Sequence, residues 1–339
     1  MDLSHSGINI SIDSIFRVGN NFYYQGNSWV ERKIFDEHLF ESKKKSYWWT
    51  ADFFPDFILQ QDFYNNKTSW VNSRGVEFNA GIEENLFVRA QYFETLAKFP
   101  NYLDSIVNKD LIIPGQGFRR LNTPGVYDYG YASGFLLYNI SRYFSVQFGH
   151  DKNFIGDGYR SMLLSDIGFN YPFLRLNGYF GDLQYFIMWA QFQDIDSAFN
   201  SINHVWQKKY GVFHYLDWNV TNRLSIGFFE SVIWKEMDST YGYRGFDWQY
   251  LNPVIFFRPI EYSLGSPDNV LMGINIKYKI PENLITYGQL LIDEMSYNEY
   301  IHNRGYWGNK LAYQLGIKGY NLFNIENLYV QAEHNSASP

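Results

Sequence analysis

The chain has 339 residues, of which 20% are aromatic and only 19% charged, with a net charge of −7 and no cysteine. An apolar share of 46% is too high for disorder, and no run approaches the roughly 18 consecutive apolar residues of a membrane-spanning helix. The acidic balance, with Lys43-Lys44-Lys45 as the one basic block, argues against nucleic-acid recognition, and zero cysteines remove disulfides, thiolate metal sites and cysteine nucleophiles from consideration.

Residues 1–27 follow no pattern and stay unassigned, whereas 28–339 read as one unit. Trp29–His38 places Val30 and Ile34 four apart amid charge, the spacing of a short helix. From residue 86 the period becomes two: Leu86, Val88, Ala90 and Tyr92 alternate with Phe87, Arg89, Gln91 and Phe93. A second helix is predicted over Phe99–Asp110, where Pro100 opens a run with Leu103, Ile106 and Val107 at helical spacing. Period two returns at Phe144-Val146-Phe148 and Leu224-Ile226-Phe228. It is clearest at Val270, Met272, Ile274, Ile276, Tyr278 and Ile280, whose alternates include Gly273, Asn275, Lys277 and Lys279. Leu311, Tyr313, Leu315 and Ile317 repeat it against Ala312, Gln314, Gly316 and Lys318. These runs approach the roughly 9–11 residues with which a tilted strand crosses a bilayer.

The connections repeat as well. Ile82–Leu86, Ile140–Phe144, Val220–Leu224 and Ile280–Leu284 each hold three mostly polar residues between two apolar ones, with a looser copy at Phe323–Leu328. Between these tight turns lie long polar and aromatic stretches at about 98–127, 150–171, 194–209, 235–268 and 296–309. Short turns at one end and long loops at the other is the asymmetry of an outer-membrane barrel. A soluble β-sandwich also alternates. Strand length, small and amide alternates, and aromatics near strand ends (Tyr92-Phe93, Tyr278) favour an all-β, antiparallel transmembrane β-barrel with short helices in its loops.

The most distinctive segments are loops: 148–167 (FGHDKNFIGDGYRSMLLSDI), 169–177 (FNYPFLRLN) and 251–270 (LNPVIFFRPIEYSLGSPDNV), with support from Ile113–Gly117, Lys209–Tyr215 and Phe229–Trp234. They resemble the Wzi-type capsule-assembly family, in the Bacteroidetes branch that includes the gliding motility protein RemB. The resemblance implies a large outer-membrane barrel that organises surface polysaccharide or serves gliding, without catalytic activity or cofactor. Its implied partners are outer-membrane lipid, surface polysaccharide and proteins of the gliding or secretion machinery. The chain departs from the family in showing no signal peptide, about 12 to 14 strand candidates, and an end at Asn335–Pro339 without a closing aromatic strand. A fragment, folded as an unclosed curved sheet, is the expectation.

Two charged and aromatic constellations are candidate saccharide contacts. The first is His150, Asp151, Lys152, Asn153, Asp157, Tyr159 and Arg160, in a glycine-rich loop expected to fold back into the lumen, where internal pairing of the charges is the competing role. It does not meet the calcium-loop pattern, because the twelfth position from Asp151 is Met162. The second is Arg244, Asp247, Trp248, Arg258, Glu261 and Asp268, which equally describes an extracellular loop anchored at the membrane interface. A porin-like channel and a barrel hydrolase using Glu230 or Asp157 are the alternative functions. The seven histidines are scattered, without metal-ligand spacing.

Overall fold

The computed structural model describes residues 28–35, 37–63, 66–195, 206–238, 242–254, 268–280, 283–293 and 310–338. Helix α1 (Trp29–Phe35) opens on a reciprocal cap: the Glu31 amide donates to Ser28 Oγ and the Ser28 amide to Glu31 Oε2, both at 3.1 Å. Helix α2 (Asn101–Asp110) follows Pro100 and stops where Leu111 turns left-handed. Its Val107 packs with Ile113 and Tyr127, so it lies over the ends of neighbouring strands.

The strands in chain order are β1 (Phe40–Lys43), β2 (Tyr47–Asp62), β3 (Lys67–Ile82), β4 (Leu86–Lys98), β5 (Val126–Asn139), β6 (Phe144–Asp151) and β7 (Tyr171–Phe180). They continue as β8 (Leu183–Asp194), β9 (Gln207–Asn219), β10 (Leu224–Lys235), β11 (Asn269–Ile280), β12 (Leu284–Asp293), β13 (Lys310–Tyr320) and β14 (Tyr329–Ala337). Each pairs antiparallel with the next, forming a single meander with Arg120–Thr123 added beside β5. Among the described residues β1 and β14 are its two edges, as the unclosed sheet predicted. The tight turns fall where the repeated template places them, and Glu83 and Asn283 adopt left-handed backbone there.

The register divides every strand into two faces. One carries Val76, Phe78, Leu136, Phe148, Leu174, Leu176, Ile274, Ile276, Leu290, Leu315 and Ile317, all left exposed. The other gathers Phe87, Phe135, Phe173, Phe186, Met188, Phe213, Tyr215 and Phe229 around Ile155 and Leu163 of the β6–β7 loop. That loop also bonds to β11, β12, β13 and β14. A flat sheet would hold β4 and β14 roughly 48 Å apart at the usual strand spacing, so the sheet curls around the loop. The outward belt of bare apolar side chains on a curled meander of long strands is an outer-membrane barrel wall.

The interior departs from the watery lumen that the alternation predicts. Its middle is an aromatic core, because inward positions such as Phe87 and Phe135 pack on one another at 5.7 Å between ring centres instead of facing solvent.

Leu315, at the middle of β13 on the bare face, gives the direct check of this orientation. Leu315→Arg is expected to cost about 2–4 kcal/mol in denaturant unfolding from lipid vesicles, whereas Leu315→Phe leaves the midpoint nearly unchanged.

Candidate functional site

Strand β6 delivers the chain at Asp151 into the interior, and β7 takes it back at Tyr171. Between them, residues 152–166 form a loop with little regular structure, so its backbone groups must find partners elsewhere. The inward polar side chains of β11–β14 provide them. Glu333 on β14 accepts from the amides of Tyr159 at 2.8 Å and Arg160 at 3.2 Å. Gln289 on β12 accepts the Met162 amide at 2.8 Å and donates to the Ile155 carbonyl at 3.3 Å. Gln314 on β13 donates to the Arg160 carbonyl at 2.8 Å, and Lys318 Nζ to the Asp157 carbonyl at 2.7 Å.

Asp157 sits at the centre and is 4% exposed. Its carboxylate lies 3.1 Å from Lys277 Nζ and accepts from Asn275 Nδ2 at 3.0 Å. Two tyrosines brace these partners from the neighbouring strands. The Tyr215 ring lies over Gly227, where any Cβ would collide with it, and its hydroxyl accepts from Asn275 Nδ2 at 3.2 Å. The Tyr287 ring lies over Gly316 in the same way, and its hydroxyl donates to Glu333 at 2.8 Å. Removing either glycine would lift the ring and with it the hydroxyl that holds the loop's partner.

The first predicted constellation divides. Asp157, Asn153 and the backbone of Tyr159 and Arg160 are inside, and Asp157 pairs internally. The Tyr159 side chain is 76% exposed, with the Arg160 guanidinium 5.9 Å from its ring centre. Asp151 accepts the Lys152 amide, and Lys152 Nζ reaches the Gly115 carbonyl at 3.4 Å. His150 points the other way, on the outer face, within 3.2 Å of the Ala132 carbonyl.

The second constellation is not beside the first, because it lies on the opposite face of the sheet. Residues 242–254, after β10, fold as a strap over the outer side of β8–β11. Tyr250 and Phe246 pack on Ile187, Trp189, Tyr210, Val212, Val232, Trp234 and Val270. The indoles of Trp189 and Trp234 donate to the carbonyls of Tyr250 and Gly245, each at 3.0 Å, and Tyr185 donates to the Pro253 carbonyl at 2.7 Å. Arg244 meets both oxygens of Asp268 and one of Asp247 at 3.1 Å, while Tyr250 donates to Asp268 at 2.7 Å. The Asp268 hydrogen bonds hold the Arg244 guanidinium above its ordinary value, so it is charged at any working pH. Trp248 stays exposed, and Arg258 and Glu261 lie outside the described residues.

The hydrolase alternative needs two facing carboxylates. Glu230 is on the outer face, and its register partners are His214 and Met272, neither an acid. Asp157 is held by a cation and an amide. Among the described residues there is no grouping of three metal-ligating side chains.

No family model matches the chain, and no curated protein does. Solved structures similar to it include OccK9 (OpdG) of Pseudomonas aeruginosa, at 10% identity over 86% of this chain and 82% of that one, TM-score 0.41. OmpF of Salmonella typhi, in complex with daunomycin, is 8% identical over 88% and 94%, TM-score 0.36. An anion-selective porin from Comamonas acidovorans is 10% identical over 81% and 85%, TM-score 0.36.

If Asp157 and Glu333 seat the loop, Asp157→Ala and Glu333→Ala each release amides of residues 158–164. Native-state hydrogen exchange of that segment is expected to accelerate at least about tenfold in each variant, the equivalent of roughly 1.4 kcal/mol, with the exchange of β8–β10 unchanged.

Proposed function

We propose that this chain is a non-catalytic channel protein of the outer membrane, with loop 152–166 as the constriction of its interior. One observation carries this reading: the loop is seated by side-chain hydrogen bonds and by the ion pair of Asp157 with Lys277, on strands that come from a different part of the chain. Such a seat narrows the interior while leaving the wall's own ladder intact. The bare apolar belt outside and the polar inward faces of β11–β14 support the membrane setting. Among the described residues Glu230 stands in register with His214 and Met272, and Asp157 is held by Lys277 and Asn275, which supports a role without chemistry.

A second reading, handling of surface polysaccharide, rests on where the distinctive segments fold. Of the segments that resemble the capsule-assembly and gliding family, 152–167 lies in the β6–β7 connection and 251–254 in the strap, while 171–177 is wall strand β7. Tyr159 and Arg160 present an open aromatic face and a cation, groups that suit sugar rings and their acidic substituents.

Planar-bilayer recording separates these readings. A channel gives small unitary steps for the unaltered protein and steps at least about twofold larger when Glu333→Ala and Lys318→Ala unseat the loop together. Silence in both preparations, with retention of an acidic glycan that Tyr159→Ala and Arg160→Ala abolish, would favour the polysaccharide role and remove the channel.

A further inference from the structure

The strap raises a physical problem that the channel reading leaves untouched. It is irregular chain lying against a face that elsewhere is bare to lipid. Lipid-exposed irregular backbone is not tolerated in hydrocarbon, where each unpaired amide or carbonyl costs several kcal/mol. Yet its outward surface is largely aromatic and apolar, with Gln249 and Asn252 exposed among these groups. Tyr243 is 70% exposed, Trp248 75%, Val254 62% and Leu251 42%, while its inward Tyr250 is fully buried. On the same wall, nearer the tight turns, Trp218, Ile274, Ile276 and Tyr278 form the ordinary bare belt.

We propose that the strap is a membrane anchor that docks on the lipid headgroup layer, with Trp248 and Tyr243 inserted at the boundary between headgroups and chains. The occupant is lipid because the strap's outer surface continues the belt on the same wall. Trp and Tyr match that depth, with an apolar ring and a polar edge that stays wet. The rigid attachment fits too. Arg244, Asp268 and the indoles of Trp189 and Trp234 fix the strap to the wall, so the rings are presented without further ordering. The same outer face holds His214 and Glu230 at 0% and 1% exposure, so these polar groups are kept off the lipid.

This inference rests on the membrane reading, and the test keeps the two apart. The chain has no cysteine, so Trp248→Cys and Ile276→Cys each give a unique attachment point for an environment-sensitive fluorophore. Both proteins are refolded into phosphatidylcholine vesicles containing lipids with a nitroxide at the headgroup or at the chain centre. The anchor predicts that headgroup nitroxide quenches the Trp248 position at least about twofold more than chain-centre nitroxide, with the opposite order at Ile276. If Ile276 is quenched by chain-centre lipid but Trp248 by neither, the strap faces water or another protein and the anchor is wrong. Preferential chain-centre quenching at Trp248 is equally fatal. No lipid quenching at Ile276 overturns the membrane reading itself. Should Trp248→Cys fail to fold, Tyr243→Cys carries the same measurement.

Discussion

A peptide group in hydrocarbon has no water to fall back on, and that constraint organises this chain. It explains why strand follows strand in strict antiparallel succession from β1 to β14, so that each strand from β3 to β13 has a ladder partner on either side. It also explains the tight turns, since nearest-neighbour pairing with minimal connection leaves little backbone unanswered at that end. Once the ladder is fixed, the period of two assigns every side chain to one of two environments, and a slip of one residue would exchange them. Asn275 and Lys277 inward, with Ile274 and Ile276 outward, is the arrangement that a one-residue slip would ruin.

The loop between β6 and β7 obeys the same constraint by other means. It lacks a ladder, so side chains of the wall substitute for one. Hydrogen bonds to a charged partner contribute about 1.5–3 kcal/mol each, and Glu333 and Lys318 both act on loop backbone. The tyrosines over Gly227 and Gly316 hold Asn275 and Glu333 in place, so the seat depends on two positions where a side chain is absent.

Much of this was legible in the sequence, and the reasons for the exceptions are physical. Asn275, Lys277, Gln314 and Lys318 could be assigned to the interior because they interrupt a run of Ile, Leu and Tyr. Their partners could not, because Asp157 lies 161 residues from Lys318 and no local pattern links them. Tyr185–Ala190 reads only as a continuous apolar stretch. Ile187 and Trp189 lie under the strap while Phe186, Met188 and Ala190 face the interior core, and burial on both sides erases alternation. For the same reason, placing the two charged constellations in one kind of site was beyond the sequence, since it carries no sign of which face a long loop returns to.

Strands β8–β10 are therefore the middle of three layers, loop inside and strap outside, and are packed more like a soluble core than like a barrel wall. The two covers differ in how far they reach. Strap contacts with Trp189 and Tyr185 join residues 61 and 68 apart, while the loop's contact with Glu333 spans 174. Closing a longer loop costs more entropy, though only logarithmically, and it also waits on the last strand to be present. The strap can dock once β8–β11 have paired. The interior loop cannot seat fully until β14 joins, which makes its attachment a late tertiary event. A wall whose outer cover is built early and whose inner cover is held late, by side chains alone, is stiff where it meets the membrane and adjustable where it faces the interior.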